Sequence, residues 1–399
     1  MSHYHSSINP RFAARMKVVA FLNAYTQGLS GGDLRFVELM KRLEEKGDIE
    51  LTVVTSKLGK DLCRERGLNA VFKVTTWERE VRAVGNVVLL FARRIISALS
   101  LRLLIEGSVL YSASNFLPDV FPAFFYKLVN KESKWVVCVY HIIPHPSKRP
   151  GKFSLSNFIS FIAQCMSLLL VARCSDMIQT ETNFVKYELV RRYRISPEKI
   201  IVCQSGINPK VIDNFSWSKG KIYDACFLAR LHKSKGIYDL IEAWKYVCKY
   251  NKGAKLAIGG GGLTEMVTGV KNRIKNLGLE NNVFYLGFLS EEDKYRLLRA
   301  SELYVLPSYE EGIPITFYEA MYCGLPVVTY YLPTYSDIKD YIVSVPLGDV
   351  KSLVDAIIRV LENEGLVRTL GDSGRSLAKQ HTWDKVAEYT MSQILKISL

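Results

Sequence analysis

The sequence predicts an α/β protein of two doubly wound domains, each a parallel sheet with helices on both faces. Three observations carry this prediction. Short apolar runs alternate with amphipathic stretches from Met16 to the C-terminus, the rhythm of repeated strand–helix units. Within those runs the apolar residues are nearly consecutive, as strands covered on both faces require. A chain of 399 residues is also long enough for two domains of ordinary size. The polar, turn-rich segment 213–221 (Asp-Asn-Phe-Ser-Trp-Ser-Lys-Gly-Lys) suits a linker. One domain is therefore expected over 16–212 and a second over 213–380, with a terminal segment over 381–399. Residues 1–15 are polar and lack the apolar core of a signal peptide, so a disordered leader is expected there.

In the first domain, Lys17–Leu22 reads as a buried strand. It leads into Gln27-Gly-Leu-Ser-Gly-Gly-Asp33 and a helix from Leu34 to Lys46 that stops at Gly47. Small residues between a strand and a helix start let backbone N–H groups approach an anion, which makes Gly31 and Gly32 candidates for phosphate contact. Ile49–Thr55 and Val71–Val74 are further strands. Residues 84–105 mix apolar runs with Arg93, Arg94 and Arg102. That pattern fits an interfacial membrane helix or an ordinary packed helix with a solvated face. Val109–Ala113 and Trp135–Tyr140 read as strands, and the second ends at His141. A histidine at a strand's carboxyl end, beside proline-restricted backbone, is a candidate site residue, with His145 behind it. Residues 153–172 carry no charge, but their serines, Asn157 and Gln164 suit a buried or membrane-dipping helix better than a spanning one. Met177–Phe184 and Lys199–Asn208 complete the domain, with Arg191, Arg192 and Arg194 expected at a solvated helix end.

In the second domain, the strand Tyr223–Leu228 runs straight into Ala229-Arg-Leu-His-Lys-Ser-Lys-Gly236, followed by a helix over Ile237–Tyr250. Arg230 and Lys235 then lie between a strand exit and a helix N-terminus, where two cations beside free N–H groups can hold a diphosphate. Ala254–Ile258 precedes Gly259-Gly-Gly-Gly262. Those glycines could form a dinucleotide loop, though no acidic residue is clearly placed at the following strand's end. Asn282–Leu286 is a strand, and Ser290-Glu-Glu-Asp caps a helix through Ala300. Leu303–Leu306 is a strand stopped by Pro307. Gly312 and Pro314 punctuate a turn, Ile315–Tyr322 is helical, Gly324 sits at its C′ position and Pro326 prevents continuation. Glu311 and Glu319, with seven residues between them, both border the crevice beyond the strand. From spacing alone they could equally be a general acid/base pair. Thr334–Asp340 reads as a loop, with helices over Val350–Glu362 and Gly371–His381.

Charge is unevenly distributed. The formal net charge is +14, and residues 1–210 hold 30 basic against 17 acidic residues while 211–399 hold 23 against 22. A basic first half implies a polyanionic partner, either an anionic membrane or nucleic acid. Nucleic acid is the weaker of these because the basic residues are not interleaved with a recognisable module. The eight cysteines form no Cys-x-x-Cys pair and sit in apolar runs, as expected of reduced core residues in an intracellular protein.

In this order and setting the motifs resemble those of the retaining glycosyltransferases of GT-B fold, the group 1 or GT4 family. The resemblance rests on the Gly31-Gly32 loop, the Ala229-Arg-Leu-x-x-x-Lys-Gly236 signature, the Glu311/Glu319 element and the closing His381-Thr-Trp-Asp384. It implies two Rossmann-like domains facing across a cleft, with acceptor binding in 16–212 and nucleotide-sugar binding in 213–380. It further implies that helix 381–399 crosses back onto the first domain, with Trp383 as a packing anchor.

The resemblance also implies roles. Arg230, Lys235 and the amides of Gly31 and Gly32 hold the diphosphate. Glu319 holds the ribose, Gly287 and Phe288 line the base, and Glu311, Gly312 and Ile313 contact the sugar. His141 lies near the reacting carbon. The expected reaction is retaining transfer from a UDP- or GDP-sugar. No Asp-x-Asp occurs, so neither metal nor cofactor is expected. The expected acceptor is a lipid-linked glycan or polysaccharide precursor, met by a cytoplasmic protein lying peripherally on the inner membrane face. Pro314 stands where the family often has glycine, and 56–105 and 145–172 have no clear counterpart. Nucleotide-sugar epimerase or phosphorylase chemistry, or a non-catalytic partner subunit, are the alternatives.

Overall fold

The computed structural model describes residues 15–25, 29–76, 87–101, 103, 107–145, 155–215, 217 and 220–398. All of the expected leader except Arg15 lies outside the described residues. So do Gln27, Gly28, and parts of 84–105 (Arg102 among them) and of 153–172. The chain divides into two compact units. The first takes the described residues within Met1–Cys138, Ile143–Gln179 and Met391–Leu399, and the second those within Val139–Ile142 and Thr180–Thr390. The units thus divide at Gln179, earlier than the 212/213 boundary suggested by composition. Residues 180–212 are tied into the second unit by specific bonds: Asn183 N donates to Asp337 Oδ2 at 2.8 Å, and Ile207 N to His381 O at 2.9 Å.

The first sheet contains β1 (Met16–Leu22), β2 (Ile49–Thr55), β3 (Val71–Val74), β4 (Val109–Ser112), β5 (Lys134–Val139), β6 (Met177–Thr180) and β7 (Ile200–Val202), in the order β3-β2-β1-β4-β5-β6-β7. β1 pairs in parallel with β2 and β4, placing Val18 between Leu51 and Val109. Val18 to Leu22 are all buried, as a central strand covered on both faces must be. Strand order reverses between β1 and β4, and in open α/β sheets ligands bind in the crevice beyond such a reversal. The helix there spans Gly31–Glu45, starting three residues before the expected Leu34. Ser30 and Asp33 form a reciprocal capping box that fixes this start.

The second sheet contains β8 (Tyr223–Leu228), β9 (Leu256–Gly259), β10 (Val283–Gly287), β11 (Ser301–Val305), β12 (Val327–Tyr330) and β13 (Val343–Val345), in the order β10-β9-β8-β11-β12-β13. Its pairs are parallel too, and the order reverses between β8 and β11. Trp244, Tyr304, Phe317 and Tyr318 fill the core around that reversal. β13 was not foreseen, since a three-residue strand leaves almost no pattern.

Two helices depart from expectation. In Val87–Ser100 the adjacent arginines do not share a face: Arg93 is exposed and Arg94 is fully buried. In Leu155–Cys174 one stripe is buried and the opposite, equally apolar stripe is not. No helix among the described residues is long and apolar enough to cross a membrane. Burial pushes the thiols of Cys63, Cys226 and Cys323 up to about 12, which leaves them almost no reactive thiolate.

Candidate functional site

In the second unit, the loops leaving β8 and β11 meet at the strand-order reversal. β8 ends at Leu228, and the chain passes through Ala229–Ser234 into a 3-10 turn over Lys233–Lys235, capped by the His232 ring accepting from Ser234 N at 3.2 Å. Gly236 follows with φ +67°, and a Cβ there would lie 1.9 Å from Pro307 O. Only glycine lets the helix Ile237–Tyr250 begin so close to the β11 exit. Tyr309 N donates to Ser234 O at 2.8 Å, joining the two loops from the other side.

This junction brings Lys235 to Glu311. Lys235 Nζ pairs with Glu311 Oε1, and both side chains are only 17% exposed. Ser308 Oγ donates to the same oxygen at 3.4 Å, and Thr334 Oγ1 to the Glu311 carbonyl at 2.9 Å. Asp239, in the first turn of the helix beyond Gly236, accepts from Tyr309 OH at 2.5 Å and Tyr330 OH at 2.8 Å. Burial, then the Asp239 carboxylate, pushes Tyr309 up to about 12 and raises Tyr330 as well. Both phenols therefore stay protonated donors.

Arg230 is exposed, not embedded among its apolar neighbours, and it has no hydrogen bond or ion pair among the described residues. Its backbone is fixed by the glycine run. Gly260 has φ +142° and would put a Cβ 1.8 Å from Ala229 O, while Leu231 N donates to Gly261 O at 2.7 Å. Gly260 and Gly262, whose Cβ would lie 2.7 Å from Leu231 O, thus serve close packing of the β9 exit against the Arg230 loop. Gly287 closes β10 with φ +76° and open space around it, and Phe288 beyond it is 87% exposed.

Glu319 lies on the helix Ile315–Tyr322 and is 5% exposed. Its Oε1 accepts from Lys294 Nζ at 2.6 Å and from Tyr295 OH at 2.9 Å. The Lys294 ammonium also lies 4.2 Å from the centroid of the Tyr295 ring. Burial first, and Glu319 second, raises the Tyr295 phenol. Neither Lys294 nor Tyr295 was singled out from sequence. The Ser290 cap fixes where their helix starts, yet nothing local says that Lys294 and Tyr295 converge on a carboxylate 24 or 25 residues later.

Gly312 is hemmed in. A Cβ there would meet Glu181 Oε2 at 3.2 Å and Tyr140 O at 3.5 Å. Glu181, also unforeseen, is buried and accepts from Ser205 Oγ. The Ile313 side chain is buried, so only its backbone is available to a ligand. Pro314 is extended (φ −63°, ψ 132°) and gives the following helix no side-chain cap. His141 falls in the second unit, with Nε2 3.7 Å from Glu310 Oε1. His145 falls in the first, edge-on to Phe161 with ring centroids 5.3 Å apart, which is a packing role.

In the first unit, Gly31 and Gly32 form the first turn of their helix rather than the loop before it. The chain just before them is held by buried groups. Arg94 Nη1 donates to Asn23 O at 2.8 Å and Tyr25 O at 2.5 Å. Asp119 accepts from Asn23 N at 2.6 Å, Ala24 N at 2.8 Å and Ser114 Oγ at 2.6 Å. Burial pushes the Asp119 carboxyl up to about 7 against those hydrogen bonds.

Residues 212–377 match the model of the family described as glycosyl transferases group 1. An uncharacterized glycosyltransferase of Methanocaldococcus jannaschii is 26% identical over 241 residues, covering 56% of this chain and 61% of that protein. Mannosylfructose-phosphate synthase of Agrobacterium fabrum is 30% identical over 177 residues, 40% of this chain and 38% of that one. An amylovoran biosynthesis glycosyltransferase of Erwinia amylovora is 27% identical over 215 residues, 50% and 51% of the two chains. The chain therefore spans less than two thirds of each of these relatives. Among solved structures, Anabaena Alr3699/HepE in complex with UDP-glucose superposes with TM-score 0.73 at 16% identity, covering 96% of this chain and 100% of that one. Sucrose-phosphate synthase from Thermosynechococcus elongatus gives TM-score 0.73 at 15% identity, covering 96% and 98%. The fold, two Rossmann-like parallel sheets, is that of GT-B proteins.

Proposed function

We propose that this chain, whose residues 212–377 form a group 1 glycosyltransferase domain, transfers a sugar from a UDP- or GDP-sugar to an acceptor with retention at the anomeric carbon. The observation that carries this reading is the junction at the β8/β11 reversal. There the exposed cation Arg230, without a partner among the described residues, and the Lys235–Glu311 pair flank a helix start, and the buried Glu319 is gripped through one carboxylate oxygen. Breaking the glycosidic bond sends negative charge onto the departing diphosphate. Lys235, Arg230 and the Gly31 and Gly32 amides are the groups available to stabilise it. Stabilisation that grows toward the transition state is what accelerates the step. Glu319 orients the ribose, Glu311 and the Gly312 and Ile313 amides hold the sugar, Gly287 and Phe288 border the base, and His141 positions the reacting end. Neither metal nor cofactor enters this scheme.

The acceptor is proposed to be a lipid-linked glycan or polysaccharide precursor at the cytoplasmic face of a membrane. Support comes from the +13 charge of residues 1–210 (30 basic against 17 acidic). A thermal-shift screen across UDP-, GDP- and ADP-sugars tests the donor site. Ligand at 100 times its Kd adds about 2.7 kcal/mol to stability, enough for a clear rise in Tm with one nucleotide class. No shift with any of them, or an equal shift in Lys235→Ala, overturns the assignment.

A further inference from the structure

We propose that the outer face of a three-helix layer in the first unit is a docking surface for a bilayer bearing anionic lipids. The helices are Val87–Ser100, Leu117–Val129 and Leu155–Cys174. The middle one packs against both others and against β1 and β4 beneath it. Tyr126 OH donates to Ala98 O at 2.9 Å, and Ser167 Oγ to Asn115 O at 2.8 Å, which fixes the layer.

A helix on a water-facing surface normally turns apolar residues inward and polar ones outward. Here apolar residues occupy the outward face as well as the inward one, and some polar residues are turned in. Helix 87–100 buries Arg94 while exposing Leu89 and Ile96, the latter 68% accessible. Helix 155–174 buries Gln164 and Ser167 while exposing Ile162 and Met166. The middle helix exposes Phe121 and Phe125, one turn apart. Neighbouring apolar stripes on one layer exceed the scattered exposed leucines of an ordinary surface, and such patches mark interaction sites.

Charge selects the partner. Helices 87–100 and 155–174 contain no carboxylate, and the one in the middle helix, Asp119, is buried. Arg93 and Arg173 are exposed on the same layer. Apolar side chains entering the headgroup boundary, with exposed cations such as Arg93 and Arg173 on the same helices to meet lipid phosphates, is the chemistry of one-sided membrane binding. A second copy of the chain is a poor occupant because it would set these cations against themselves. The inference deepens the membrane-side reading of the acceptor by naming the face and the lipid charge.

Co-sedimentation of the full chain with phosphatidylcholine vesicles, with or without phosphatidylglycerol, is the test. Binding is expected to phosphatidylglycerol vesicles at low salt, weakened by at least about tenfold when phosphatidylglycerol is omitted. The exposed-site variant Ile96→Gln/Phe125→Gln/Ile162→Gln should lose binding while keeping the wild-type Tm, and Arg93→Glu/Arg173→Glu should lose the preference for anionic lipid. Wild-type protein that ignores anionic vesicles, or variants that bind as well as wild type, overturn the proposal. So does a solution dimer that the triple variant dissociates while vesicle binding persists. Lys235→Ala should still bind vesicles. In the wild type, docking without transfer defeats the transferase reading alone, and transfer without docking defeats this one alone.

Discussion

Gly236 lies so close to the Pro307 carbonyl that a Cβ on it would sit 1.9 Å from the oxygen, in a backbone conformation of φ +67°. The obstacle is backbone, and it cannot swing away. Gly236→Ala should therefore cost roughly 3 kcal/mol or more, combining left-handed strain with displacement of the β11 exit. Gly287→Ala is the control. It has φ +76° but open space, so it should cost only the strain, about 1–2 kcal/mol. Urea unfolding of the two variants measures the difference, and equal losses would show that the contact with Pro307 is not what requires glycine.

If Lys235 meets the leaving diphosphate as proposed, Lys235→Ala should lower turnover more than about 100-fold with the fold intact, because a charge facing a leaving group acts in the transition state. The pair with Glu311 is mostly buried, at 17% exposure for each side chain, so a secondary loss of stability of about 1 kcal/mol or more is expected. Single-turnover kinetics with the donor found by thermal shift separates the two effects. Near-normal transfer would sink the phosphate assignment.

Tyr295→Phe removes one of the two donors to Glu319 Oε1 and leaves Lys294 in place. A buried carboxylate that loses a hydrogen bond is destabilised by about 1–3 kcal/mol. If Glu319 holds the ribose, the loss should appear as a 5- to 30-fold weaker Kd for the nucleoside diphosphate, roughly 1–2 kcal/mol, with kcat little changed. Calorimetric titration reads the Kd directly, and an unchanged value would mean that Tyr295 does not position this carboxylate for a ligand.

The strands around the site, the positions of Arg230, Lys235 and Glu311 beyond their exits, and that of Glu319 on the following helix were legible because apolar runs and glycine or proline punctuation are local signals. The helix start at Gly31 was equally local, yet the Ser30/Asp33 box went unread beside the more conspicuous glycines. What lay beyond reach was long-range. Lys294 and Tyr295 meet Glu319, and Glu181 lines Gly312, only through packing of separate helices and loops. Composition likewise placed the domain boundary at the polar 213–221 segment, whereas the bonds of Asn183 and Ile207 decide to which unit 180–212 belongs. Arg94 shows the same limit. Beside Arg93 it looks like surface, but its guanidinium is spent on the carbonyls of Asn23 and Tyr25.

The segment that Arg94 holds gives a pH prediction through its second anchor, Asp119. Burial pushes this carboxyl up to about 7, against about 3.9 in an unfolded chain. Between those values the folded state keeps a proton that the unfolded state has released. Stability therefore falls as pH rises through that window, by up to about 1.4 kcal/mol per pH unit, and the loss is complete above pH 7. Asp119→Asn retains an oxygen for the Asn23 and Ala24 amides but cannot ionise. Urea unfolding at pH 5 and pH 8 should show wild type losing about 1–3 kcal/mol relative to the Asn variant across that interval. A parallel pH dependence in the two proteins would mean that Asp119 is ionised at little cost in the fold. If Gly31 and Gly32 contact the donor as proposed, the same comparison made on donor affinity tests whether this anchor matters to them: the wild-type Kd should drift with pH and that of the Asn variant should not.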